Sequence, residues 1–134
     1  MAYQTPKTNW LPTDYFNIGD YNRIKNNIIE IKSIADILYK PFKYNESGMG
    51  GNKTYDSYIY ADEINAIEHN LALIVENTYP FNIGEEKTYY DNQATPNYEE
   101  FNRIESAIKL IYENLSNQRD SRRHLSFILG GSEF

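Results

Sequence analysis

One pattern recurs three times along the chain, and a repeat restricts the possible folds more sharply than composition does, because every element must then be read in register with its copies. Three segments align without gaps: Tyr21-Asn22-Arg23-Ile24-Lys25-Asn26-Asn27-Ile28, Ile64-Asn65-Ala66-Ile67-Glu68-His69-Asn70-Leu71 and Phe101-Asn102-Arg103-Ile104-Glu105-Ser106-Ala107-Ile108. Each reads bulky apolar, Asn, Arg or Ala, Ile, charged, two small or polar residues, apolar. A second element precedes each one: Lys7-Thr8, Lys53-Thr54 and Lys87-Thr88, with Trp10, Tyr55 and Tyr89 or Tyr90 just after it. Fifteen residues separate Lys7 from Asn22 and Lys87 from Asn102, against twelve between Lys53 and Asn65. Pro41-Phe42 and Pro80-Phe81 follow the first two copies at equivalent places. The units span about 7–40, 53–80 and 87–120 of a single domain, 1–134, and leave 121–134 as a tail.

Apolar residues within each unit follow a helical period. Tyr21, Ile24, Ile28, Ile31 and Ala35 recur at alternating intervals of three and four, as do Phe101, Ile104, Ile108, Ile111 and Leu115, and Ile64, Ile67, Leu71 and Ile74 do the same. One buried stripe per helix follows. Start signals are Asn17 and Asp20, then Asp62 and Glu63, then Thr95-Pro96 with Glu99 and Glu100; Pro41 and Pro80 supply stops. The spacing predicts helices over 18–39, 61–78 and 97–120 or beyond. The expected fold is mainly α, a three-helix bundle of loop-helix repeats. Between the helices, Asn45 to Lys53 reads as a mobile glycine-rich tip and Thr54 to Tyr60 as a short extended or hairpin segment.

The repeated Asn22, Asn65 and Asn102 are the best-specified polar positions. An amide in the first turns of a helix can tie loop backbone to that helix. Trp10, Tyr55 and Tyr90 or its neighbour Tyr89 are expected to fold down beside the Asn of their own unit, closing each loop over its helix.

Catalytic and ligand-binding patterns are weak by comparison. Gly48-Met49-Gly50-Gly51-Asn52-Lys53-Thr54 has Asn52 and Ser47 where a phosphate-binding loop requires glycine. Glu68 and His69 are adjacent on a helix and diverge by about 100°, so they do not form a metal pair. The pairs Asp62-Glu63 and Glu99-Glu100 sit at helix starts, where the dipole favours negative charge, and Arg119, Arg122 and Arg123 suit a helix end. With no cysteine and two isolated histidines, no nucleophile and base can be assembled. No enzyme activity, cofactor or metal is expected. The formal charge of −6 argues against nucleic-acid or anionic-membrane partners. No stretch has signal-peptide character or the roughly 20 apolar residues of a membrane span. Thirteen tyrosines beside a mean hydropathy of −0.70 place many rings at a surface or interface.

The string Lys7-Thr8-Asn9-Trp10, followed after a turn by Tyr21-Asn22-Arg23-Ile24-Lys25, resembles the Lys-Thr-x-Trp…Leu-Asn-Arg-Ile-Glu element of tail-fibre, baseplate and receptor-binding proteins of phages of Gram-positive bacteria. Glu68 and Glu105 match that element's Glu, Lys25 departs from it, and Tyr replaces Trp in the later units. The resemblance implies a virion structural protein of a phage or prophage tail, made in the bacterial cytoplasm and acting by assembly with other virion proteins, with homo-oligomerisation expected and no catalytic residues. Leu125, Phe127, Ile128 and Leu129 are its candidate interface. An alternative is a carbohydrate-binding module that lays Tyr15, Tyr55, Tyr58, Tyr89 or Tyr90 on host cell-wall glycan; a helical cytoplasmic adaptor is a further one.

Overall fold

A computed structural model describes residues 3–14, 16–51, 53–54, 60–79, 82–84, 86–90 and 97–130, and for 122–130 the helical backbone alone. Three helices form: α1, Ile18–Leu38, α2, Ala61–Asn77, and α3, Tyr98–Gly130. All fourteen residues of the three predicted apolar stripes are buried. Burying such a side chain stabilises by roughly 1.5–3 kcal/mol, so this seam is what makes the helices associate.

Local chemistry sets the helix starts. Asn17 accepts the Asp20 N–H while Asp20 accepts the Asn17 N–H, a reciprocal capping box at α1. Glu63 accepts the Tyr60 N–H at α2, and Asn97 accepts the Glu100 N–H at α3. The α3 cap is therefore Asn97 rather than the Thr95-Pro96 signal, which lies outside the described residues.

All three helices run in the same direction. Near the start of both α1 and α3, Arg23 bonds Glu105; just past the end of α1, the Tyr39 hydroxyl donates to Gln118, far along α3, at 2.8 Å. Early in α3, Arg103 meets Glu68 in early α2. Parallel neighbours require the chain to return from each helix end to the next helix start, and the connecting segments do this as straps along the bundle. Strap 1 is the described part of 3–16, strap 2 that of 39–60 and strap 3 that of 78–97.

Two expectations for the straps are corrected. The glycine-rich stretch of strap 2 is not a mobile tip: it forms a 3-10 turn over Ser47–Met49 and drives Met49 fully into the core, where its carbonyl accepts the Tyr21 hydroxyl. Gly50 has φ +73°, and a Cβ there would strike the Glu63 carboxylate. Among the described residues no strand or hairpin forms between the helices; positions 55–59 of the expected extended segment lie outside them.

The tail is not a separate element either. Backbone helix continues through 121 to Gly130, so α3 is 33 residues long against 21 in α1 and 17 in α2. Beyond Gln118 it projects past the bundle by about 18 Å at 1.5 Å per residue.

Candidate functional site

The repeated asparagines make three equivalent two-point grips on strap backbone. Asn102 accepts the Trp10 N–H at 2.7 Å and donates to the Trp10 carbonyl at 3.0 Å. Asn22 does the same to Lys53 at 2.6 and 2.9 Å, and Asn65 to Tyr89 at 2.7 and 2.8 Å. An amide side chain carries one acceptor and two donors, so it satisfies an isolated backbone residue as a neighbouring strand would.

The pairing of units differs from the expectation. None of these three asparagines grips the strap of its own unit: strap 2 sits on α1, strap 3 on α2, and strap 1 on α3, closing a ring. Sequence register misled at two further points. Lys53, not Tyr55, occupies the place of Trp10, and Tyr89, not Tyr90, occupies it in strap 3. Tyr90 is 66% exposed. Distance to the following Asn was the usable signal, since twelve residues separate Trp10 from Asn22 and Lys53 from Asn65, and thirteen separate Tyr89 from Asn102. Tyr15, Tyr55 and Tyr58 lie outside the described residues, as do the side chains of Leu125, Phe127, Ile128 and Leu129. Tyr89 is unsuited to sugar stacking, because it is half-buried with both its backbone and its hydroxyl engaged.

Beneath each grip lies a charged seat. At the α3 joint Glu105, 0% exposed, accepts from the Lys7 N–H at 3.0 Å, the Trp10 indole N–H at 2.6 Å and both Nε and Nη2 of Arg23 at 2.8 and 2.7 Å. Its two oxygens are thus filled by four donors, the arrangement a buried carboxylate needs. Burial works against the Arg23 charge, but bonding and attraction from Glu105 and then Asp20 outweigh it and hold its pKa above the ordinary value.

At the α2 joint the same parts recur. Glu68, 2% exposed, accepts the Tyr89 hydroxyl at 2.7 Å and Nη2 of Arg103 at 2.5 Å. Burial first, then the bond to Glu68, raises the Tyr89 pKa. Arg103 holds its carboxylate with one nitrogen only, and its buried Nε has no partner among the described residues. Strap 3 crosses here on Gly84, φ +82°, where a Cβ would lie 2.7 Å from the Arg103 stem.

The α1 joint has all three members changed together. Lys25 stands in place of the Glu, Ala66 in place of the Arg, and Lys53 in place of the aromatic donor. Lys53 turns away to Glu63, at 2.7 and 2.6 Å from its two oxygens. Lys25 is 6% exposed and bonds no described residue; burial is the main cause of its lowered pKa, with Glu46 opposing and Lys53 adding to it.

A second row of grips was not singled out from sequence. Asn27 holds both backbone groups of Gln4, at 2.8 and 2.7 Å, and Asn70 holds those of Asn45, at 2.9 and 2.8 Å. These tie the upstream ends of straps 1 and 2 to their own units' helices, so each of those straps bridges two helices. The aligned Asn27 and Asn70 were the signal. The third unit has Ala107 there, and cavities of about 250 and 270 Å³ flank strap 3 at Ile83–Gly84, one lined by Leu71, Val75 and Arg103, the other by Arg103 and Ala107.

Among the described residues no group of three or more His, Asp or Glu side chains is placed to hold a metal ion. His69 is largely exposed, 3.5 Å from Glu86. No helix among the described residues is long and apolar enough to cross a membrane. Comparisons with protein-family models, curated proteins and solved structures found no match.

Proposed function

We propose that the chain is a structural component of a phage or prophage tail or baseplate that works by protein-protein assembly rather than catalysis. One observation carries this reading: residues from the first and third copies of the tail-protein-like element, Lys7, Trp10, Arg23, Asn102 and Glu105, converge on one joint that holds a strap and two helices together. A carboxylate filled by four donors is a fastening, since it has no lone pair directed at a substrate. The projecting part of α3, which carries Leu125, Phe127, Ile128 and Leu129 in its sequence, is the segment that engages a neighbouring virion protein.

Immunogold labelling of particles induced from the host tests the reading. Label on tails or baseplates is the expected result, with label reduced on particles made with a chain truncated after Arg123 that remains folded by circular dichroism. Particles of normal protein content that carry no label overturn it.

A further inference from the structure

The three joints are alike in geometry but not in connection. Straps 2 and 3 each leave the helix they sit on and enter the next, so the chain itself spans those joints. Strap 1 and α1 reach α3 from far away in sequence: Trp10 bonds Asn102 across 92 positions and Arg23 bonds Glu105 across 82. The joint without a chain link carries the fullest set of contacts. It has the two-nitrogen ion pair, the indole bond, the Asn102 grip, Phe16 stacked on Phe101 at 4.0 Å and Tyr3 stacked on Tyr112 at 3.5 Å.

The joint between α1 and α2 is the reverse case. It is spanned by chain, it has lost the Arg–Glu pair, and Lys25, its stem buried, bonds no described residue there. Unit 1 is therefore bonded directly to α3, whereas on the side of α2 its bonds go to strap 2, at Met49 and Lys53, beyond a segment that begins in an extended conformation, Tyr39 having φ −127° and ψ 175°.

We propose that unit 1, residues 3–38, is an exchangeable element whose partner is a second copy of this chain, closing onto α3 of that copy through the contacts it makes on its own. Each copy supplies one unit 1 and one vacated α3 face, so reciprocal exchange between two copies fills both and the assembly closes as a dimer. Every contact of the monomer is remade in the dimer, which leaves concentration and the hinge at 39–44 to set the balance.

The chain has no cysteine, so Tyr3→Cys with Tyr112→Cys places one reporter pair across the joint. The full-length variant is refolded from denaturant at low and high concentration, oxidised, and run on a non-reducing gel, with the unsubstituted chain followed by light scattering. Intermolecular disulfide is expected to rise with concentration, and deleting Lys40 and Pro41, which shortens the hinge by about 7 Å, is expected to raise the dimer fraction tenfold or more. An unsubstituted chain that stays monomeric at every concentration overturns the proposal. So does a dimer whose disulfides are all intramolecular.

Discussion

Asn102 holds both backbone groups of Trp10, 92 positions earlier in the chain, with hydrogen bonds of 2.7 and 3.0 Å. The same grip recurs at Asn22 and Asn65, so the bundle is fastened at three places by side chains that imitate a neighbouring strand.

Replacing Asn102 by Ala strands a donor and an acceptor of Trp10 and is expected to destabilise by about 1–3 kcal/mol. Asn102→Asp keeps the bond to the Trp10 N–H but turns an oxygen toward its carbonyl, so it should be no better than Ala. Urea unfolding of both variants measures this; an Asp variant as stable as the parent contradicts the two-point grip.

Glu105→Gln removes the buried charge that Arg23 holds with two nitrogens, leaving it Asp20, and is expected to cost about 1.5–3 kcal/mol. The chain's one tryptophan is 2% exposed and bonded to that carboxylate, so its emission reports the same joint. A red shift should accompany the loss of stability. Unchanged emission with full destabilisation would place the damage elsewhere.

Lys25→Met keeps the buried stem, removes a partly desolvated ammonium that bonds no described residue, and is expected to stabilise by about 0.5–2 kcal/mol. Lys25→Glu and Ala66→Arg, each unfavourable alone, should couple favourably by about 1–3 kcal/mol when combined, because together they rebuild the pair found at the other two joints. A double-mutant cycle gives the coupling directly; a value near zero shows that the seats are not equivalent.

Ala107→Asn supplies the third member of the upstream row beside Asn82, Ile83 and Gly84, where a cavity of about 270 Å³ is open. A gain of about 1 kcal/mol is expected from two new backbone bonds, with slower amide exchange in strap 3. A loss of stability would mean that the strap runs out of the amide's reach.

Alkaline conditions should weaken the fold. Burial pushes the Tyr3 hydroxyl up from 10.0 to about 12, and burial likewise raises Tyr21 and Tyr89. A raised folded pKa means stability is complete below the unfolded value and is lost as pH climbs through the folded one. Unfolding free energy should therefore fall from about pH 10 upward. Ultraviolet titration at 295 nm should show a slow, late group of tyrosines that merges with the rest in denaturant.

Much of the helical frame could be read from the chain, because burial on one side of a helix leaves a periodic trace: Ile24, Ile28 and Ile31 are buried where the spacing puts them. The repeated asparagines were visible for the same reason. What the pattern does not carry is which strap an amide grips, since a grip on backbone leaves no mark on the side chain gripped; Lys53, Trp10 and Tyr89 share only a position. Lys53 was misread because Lys-Thr recurs in strap 2 three residues out of register with the grip. Met49 was missed because composition, dominated there by glycine, hides a single residue turned inward.

Three helices running the same way have an electrical consequence. Their peptide dipoles add instead of cancelling, placing roughly 1.5 positive charges at one end and roughly one negative charge where α1 and α2 finish, with that of α3 farther out. Asp20, Glu63 and Glu100 gather at the positive end, while α1 and α2 finish without a basic residue in their last turns. The domain is thus a small electrostatic arrow, with α3 continuing out of its negative end. Copies or partners that meet it along its length encounter two unlike poles, which favours stacking head to tail over head to head.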